Sequence, residues 1–336
     1  MGRSTTWRIR WLMRFLKQQE PEDSSLPHWL VALASDGSSG EVLTGGRNNQ
    51  GVVLHRLGAP NDDRDLGPGN RPRQLIEKRS RLRREARLHG QLQRWQQCNP
   101  AAALFPQVYG VLPAVDGYRL FQAYVPHEAV VPSDPVAAGR LLARLAFDFH
   151  QTMAQVCHKQ PPTVARVLHR QQQKLAAAAG LRPDVLDAQL VGSLMDRLLV
   201  RLSDQGVVWS HNDLHWSNIR ASTTSPEPHH QLIDLGRAGW NLPGAEFHVA
   251  LRQSLLGDHG PPIWLPAIDR YAALSGGDAW SLRLGSLWFA LVHGAGLLCQ
   301  LAPAAPDRIK RREERLFTRL LSRITSYLDA RPSSPL

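Results

Sequence analysis

The sequence predicts an α+β chain in two lobes, a small β-rich one followed by a larger helical one. Three observations predict it. Between Glu41 and Pro126, short runs such as GVVLHRL and RQLIEK alternate with turn chemistry, as strands do. From residue 127 onward, Ala- and Leu-rich stretches recur at helical spacing. The chain has 336 residues, 43% of them hydrophobic and 21% charged, enough for a sizeable core and unlike a disordered polymer.

The segments follow in order. Residues 1–40 read as a leader: a short helix, a polar EPEDSS turn and a weakly apolar stretch. Residues 41–126 form the β-rich lobe. Within it, Ala59 to Arg73 is a loop rich in Gly, Pro, Asn and Asp, and Arg79 to Gln97 is helix-favouring. LFPQVYGVLP and GYRLFQAYVP read as two strands around the turn Val115-Asp116-Gly117. Residues 127–330 form the helical lobe. Helices are expected at Val136 to Val156, with Asp134 as N-cap, at Val164 to Ala179 and at Val185 to Ser203. VVWS (207–210) and HQLID (230–234) are short strands, and residues 331–336 are a tail. Leu284 to Leu301 carries no formal charge but contains His293, Gln300 and three glycines, so a buried core helix is preferred to a membrane span.

Composition narrows the function classes. The formal net charge of +11 favours anionic partners. No zinc-finger or RNP-type motif accompanies it, so specific nucleic-acid binding ranks last. The three cysteines, Cys98, Cys157 and Cys299, are far apart, which argues against a disulfide framework and for a reducing cytoplasm. The first residues lack the apolar core of a secretory signal. On a helix over residues 5–19, Trp7, Trp11, Leu12, Phe15 and Leu16 share one face, with basic residues mostly away from it. Such a helix can touch an inner membrane surface peripherally, although packing on the following domain is preferred.

The most informative string is His211-Asn212-Asp213-Leu214-His215-Trp216-Ser217-Asn218, followed by Ile233-Asp234-Leu235-Gly236-Arg237-Ala238-Gly239. It supplies a carboxylate, an amide five residues later, and a second carboxylate at a strand end. Phosphoryl transfer uses that set: one carboxylate to take the attacking hydroxyl's proton, an amide oxygen and a carboxylate to hold Mg²⁺ against the nucleotide phosphates.

HNDLHWSN with IDLGRAG resembles the aminoglycoside phosphotransferase and choline kinase superfamily, which carries H-x-D-L-x-x-x-N followed by I-D. The resemblance implies a protein-kinase-like fold and the cofactors ATP and Mg²⁺. It implies Asp213 as catalytic base, His211 as brace of the catalytic loop, and Asn218 and Asp234 as metal ligands. IDLGRAGWNLPGAEFHVALR is similar to the family's run after the metal Asp, except that Glu246 stands where an Asp is usual. Thr44 to Asn49 followed by Gly51-Val52-Val53 resembles the family's first hairpin, so Gly45, Gly46 and Asn48 are expected at the phosphates. Lys78 on the third strand is expected to pair with Glu85 in the next helix, across a short seven-residue spacing. Arg56 is an alternative phosphate contact. RLFQAYVP resembles the strand and hinge, where Gln122, Ala123 and Val125 border the adenine.

The reading implied is an ATP-dependent phosphotransferase acting on a hydroxyl of a sugar or other neutral or anionic small alcohol. A +11 chain repels polycations at long range, which disfavours aminoglycosides as acceptors. Two alternatives stand beside it: a lipopolysaccharide-core kinase at the inner membrane face, and a pseudokinase that binds without turnover.

Overall fold

The computed structural model describes residues 26–35, 40–43, 51–57, 72, 74–181, 186–222, 229–257, 263–301 and 306–330. The expected phosphate hairpin with Gly45, Gly46 and Asn48, the helix over 5–19 and the tail lie outside these residues. The chain divides into two compact units, Met1–Pro126 and His127–Leu336.

The first unit is built on five antiparallel strands: β1 (Glu41–Leu43), β2 (Val52–Arg56), β3 (Gln74–Ser80), β4 (Val108–Ala114) and β5 (Gly117–Ala123). Their order is β1-β2-β3-β5-β4. Strand alternation sends Leu75 and Glu77 to one face and Ile76 and Lys78 to the other. Helix α1 (His28–Ser35) covers the first face, with Leu30 fully buried against Leu75, Leu112 and Phe121. Leu26, Trp29 and Leu33 pack beside it at helical spacing. The stretch read as the end of a leader therefore supplies core to this unit. Its period of three and four residues is the signal that the sequence reading passed over.

Glu77 lies on the same face, 1% exposed. Arg119 donates to it twice at 2.8 Å and caps α1 through Ala34 O at 2.9 Å, while His55 Nε2 meets it at 3.0 Å. Burial pushes the Glu77 carboxyl up, but Arg119 and His55 together hold it below its usual value. A buried acid is tolerated here because each oxygen has donors. Helix α2 (Arg83–Cys98) follows β3 directly and turns Glu85, Leu88 and Leu92 inward.

The second unit is mainly helical: α3 (Pro135–Val156), α4 (Val164–Leu181), α5 (Ala188–Leu202), α6 (His248–Leu256), α7 (Trp264–Ser275), α8 (Ala279–Gln300) and α9 (Asp307–Asp329). Asp134, Asp187 and Asp278 accept first-turn N–H groups of α3, α5 and α8, as N-caps do. By length and composition α8 could cross a bilayer. It is instead a core helix, with Leu284, Leu287, Trp288 and Leu291 inaccessible to solvent.

Two small ladders complete the unit. β6 (His127–Glu128), β8 (Ile219–Ser222) and β9 (His229–Leu232) form one, in the order β6-β8-β9; β7 (Val208–Ser210) and β10 (Gly239–Asn241) form the other. A 3₁₀ turn, Pro243–Phe247, then packs against α8 so closely that a Cβ on Gly244 would lie 2.0 Å from Leu282 O. Neither partner is a flexible side-chain end, so the backbones would have to part. Gly244→Ala is expected to cost about 2–3 kcal/mol of stability. Urea unfolding of the variant against wild type measures it.

Candidate active site

Strand pairing brings the motif residues together. β7 pairs with β10, and β8 pairs with β9. The segment 211–218 joins β7 to β8, and the segment 233–238 joins β9 to β10. The two connections must therefore run side by side. Hydrogen bonds join them: Ile233 N donates to Asn218 O at 3.0 Å, and the His211 ring Nε2 donates to Ile233 O at 2.9 Å. His211, fully buried, thus ties the start of one segment to the other.

Asn212 and Asp234 are the two non-glycine residues with positive φ among the described residues, at 61° and 60°. The strand expected to run to Asp234 ends at Leu232 for this reason. Asn and Asp are the side chains that best tolerate the left-handed region. Asn212 is further held by its amide, which donates to Arg237 O at 3.1 Å and Gly239 O at 3.2 Å. Its Oδ1 accepts from Asn241 at 2.6 Å; Gln171 donates to Asn241, and Trp288 donates to Gln171 at 2.7 Å. This buried amide chain runs from α8 to the residue preceding Asp213.

Around Asp213 the contacts are looser. His215 Nε2 is 3.9 Å from Oδ1, and Arg237 Nε is 3.7 Å from Oδ2. Asn218 Nδ2 donates to Asp213 O at 2.9 Å and lies 3.1 Å from His215 Nε2. With its nitrogen so committed, Asn218 keeps Oδ1 for another partner. The His215 ring is held below its usual pKa, chiefly by burial, against the opposing pull of Asp213 and Asp234. Asp213, His215, Asn218, Asp234 and Arg237 therefore form one constellation. Among the described residues, no group of three or more His, Cys, Asp or Glu side chains is placed to hold a metal ion. The Asp234 carboxylate and Asn218 Oδ1 are hard donors, too few for a closed cage. That suits Mg²⁺, which keeps most of its shell for phosphate and water.

Glu246 occupies a place that sequence reasoning left without a role. It is fully buried, and its Oε1 accepts a short hydrogen bond from the His211 backbone N–H. His150 Nε2, from α3, meets the same oxygen at 3.1 Å, and His150 Nδ1 lies 2.6 Å from the Tyr271 hydroxyl of α7. Burial first, and then Glu246, raises the Tyr271 pKa, so the hydroxyl stays protonated. A hydroxyl donating to Nδ1 leaves Nε2 as the ring's N–H, which donates to Glu246. The carboxyl thus anchors the start of segment 211–218 to α3 and α7. His150 and Tyr271 carry no motif, and nothing in the sequence could have paired them.

In the first unit, Lys78 Nζ donates to Glu85 Oε1 at 2.7 Å, with Glu85 2% exposed. The spacing of seven suffices because β3 ends at Ser80 and α2 begins at Arg83. Ser80 Oγ takes the second carboxyl oxygen at 2.6 Å. Arg56 is engaged in an exposed pair with Glu41 at 2.9 Å. Gln122 hydrogen-bonds the buried His89 ring. Ala123 N–H is spent on Gln107 O at 2.8 Å, and Val125 is half-buried just beyond β5.

Behind Arg237 lies a second group of rings. Arg237 Nη1 is 2.7 Å from His293 Nε2, and the His293 ring meets His248 edge-on at 4.8 Å. Burial, then Arg252, Arg237 and Lys174, push the His293 pKa down to about 3. Burial and then His293 depress His248 well below its usual value.

Two predictions follow from these contacts. Glu246→Asp keeps the carboxyl but shortens its reach by one methylene, so it cannot serve His211 N and His150 together. It is expected to cost about 1–3 kcal/mol, and Glu246→Ala more, by urea denaturation. The second concerns acid. The unfolded chain takes up protons on His293 and His248 below about pH 6.5, while the folded state refuses them. Stability is complete above that pH and falls on acidification, by up to about 1.4 kcal/mol per pH unit for each ring. Denaturation at pH 7 and pH 5 tests the slope, which His293→Leu makes shallower.

Solved structures of known proteins share this fold. Among solved structures the chain is similar to the streptomycin–ATP–APH(2″)-IIa ternary complex, with 10% identity over 90% of this chain and 99% of that one, at a TM-score of 0.54. It is also similar to a microcompartment-associated aminopropanol kinase, with 15% identity over 89% and 96% and a TM-score of 0.53. The macrolide 2′-phosphotransferase MphH from Brachybacterium faecium gives 16% identity over 87% and 96%, at 0.50. At these identities the likeness carries the fold, a protein-kinase-like one with a small sheet lobe and a larger helical lobe. A search of curated sequences gives no match. The family model of the phosphotransferase enzyme family covers residues 52–285, most of the chain, with both HNDLHWSN and IDLGRAG inside the match. The chain belongs to the phosphotransferase enzyme family.

Proposed function

We propose that the protein is an ATP-dependent, Mg²⁺-requiring kinase that moves the γ-phosphoryl group to a hydroxyl of a small molecule, a sugar or another neutral or anionic alcohol. The observation that supports this best is the constellation itself: Asp213, Asn218 and Asp234 on two adjacent backbone segments. In this reading Asp213 accepts the proton of the acceptor hydroxyl as the new O–P bond forms. The bond from the γ-phosphorus to the bridging oxygen breaks, and ADP leaves. Asp234 and Asn218 Oδ1 would hold Mg²⁺, which supplies positive charge to the phosphate oxygens. Lys78, oriented by Glu85, would hold phosphate oxygens of the nucleotide. His211 and Glu246 act on the backbone that carries Asp213.

The pseudokinase alternative rested on the Lys78–Glu85 spacing and on Glu246. The ion pair at 2.7 Å and the Glu246–His211 contact weaken both supports.

Phosphate transfer from labelled ATP to a panel of sugars and alcohols tests the reading. Asp234→Ala is expected to abolish transfer and weaken Mg²⁺-dependent nucleotide binding. Asp213→Ala is expected to bind nucleotide normally but to lose about 10²–10⁴-fold in kcat. A wild-type protein that takes up no ATP at any Mg²⁺ concentration overturns the proposal.

A further inference from the structure

His215 stands just ahead of Asn218, and one tight turn joins them. Asn218 N donates to His215 O at 2.9 Å, closing the 3₁₀ turn Trp216–Asn218. In a turn of this kind the side chains at i and i+3 eclipse one another. The turn therefore brings the His215 ring to the Asn218 amide, with Nε2 3.1 Å from Nδ2.

The groups themselves fix which atom donates. Asp213 O is a carbonyl and can only accept, so the amide atom 2.9 Å from it is the nitrogen of Asn218. An amide nitrogen carries two hydrogens. One goes to Asp213 O, and the other points to His215 Nε2. That ring nitrogen must then offer its lone pair, which leaves the ring's proton on Nδ1. With both hydrogens held, the amide plane cannot turn, and Oδ1 keeps one direction.

The Asp213 carboxylate is the other group near the ring, but its Oδ1 lies 3.9 Å from Nε2. That is beyond hydrogen-bond range. The ring spends Nε2 on the amide and leaves the carboxylate to its own chemistry. The His215 side chain is 29% exposed, so the ring is not a core-filling group.

We infer that His215 is a positioning residue, a hydrogen-bond acceptor that orients the Asn218 amide so that Oδ1 faces the nucleotide-bound Mg²⁺. The inference rests on the kinase reading and adds to it a residue that acts through Asn218. Partners that orient a metal ligand from behind are typically worth about 10–100-fold in metal affinity.

Calorimetry of AMP-PNP binding to the full chain, in Mg²⁺ and in EDTA, tests it. His215→Leu and His215→Phe remove the acceptor. Both are expected to bind AMP-PNP about tenfold more weakly in Mg²⁺ and as well as wild type in EDTA. Urea unfolding shows whether either is destabilised, and the intact one carries the test. His215→Gln places an acceptor oxygen as many bonds from Cβ as Nε2 is, and is expected to restore the affinity in Mg²⁺. On an Asn218→Ala background, His215→Leu is expected to add nothing, because the amide it orients is gone. Wild-type affinity in Mg²⁺ without the acceptor, an equal loss in EDTA, a His215→Gln variant as weak as His215→Leu, or a full further loss on the Asn218→Ala background overturns the inference. A wild-type chain whose AMP-PNP binding is absent, or indifferent to Mg²⁺, overturns the kinase reading instead.

Discussion

Two left-handed backbone residues, Asn212 and Asp234, set the site. Asn212 turns the chain immediately before Asp213, and Asp234 turns it at its own carboxylate. Such a conformation costs a non-glycine residue on the order of 1–2 kcal/mol and persists where neighbours over-determine it. Here the neighbours are the two ladders, which force the connecting segments side by side, and the amide chain through Asn241 and Gln171 to Trp288. The long apolar helix α8 thereby has a second role besides filling the core. Its Trp288 fixes the far end of the chain that orients the residue preceding Asp213.

The buried Glu246 is the complementary constraint. A carboxyl with no solvent contact is costly unless hydrogen-bonded, and removing its donors costs more than replacing the whole set. Glu246 links the backbone of His211 to α3 through His150, and through Tyr271 to α7. The side chain is one methylene longer than the aspartate usual at this place. That length lets a carboxyl on the 3₁₀ turn meet His211 N and still receive an imidazole. The close approach of Gly244 to α8 holds the turn itself. The geometry of segment 211–218 therefore depends on helix packing well away from that segment.

The sequence disclosed the site unevenly, for physical reasons. The neighbourhood of Asp213, Asn218 and Asp234 was legible because all three lie on two short strings. The Lys78–Glu85 pair was legible because strand and helix are consecutive. His150, Tyr271, Gln171 and Trp288 were not, since each reaches the site across many residues and only packing decides which polar side chains meet. Asn212 stood inside the motif, yet its role depends on a φ value that the string does not state. The helix His28–Ser35 was passed over because its period of three and four residues spans only two turns beside a polar stretch.

Net charge shows most clearly where composition misleads. The excess of +11 suggested what the acceptor is not. Yet residues 1–19 hold five cations and no acid, and Asp307–Asp329 holds seven cations against four acids. Together these two stretches account for +8 of the +11. Exposed charge, such as that of Arg308, Arg311 and Arg312 on α9, is screened within about 8 Å at physiological ionic strength. It cannot select an acceptor at contact distance. Arg237 stands differently, 2.7 Å from the largely buried His293 ring, where screening is weak and an unpaired donor is costly. Local burial, rather than the total count of basic residues, decides how strongly a charge acts at contact distance.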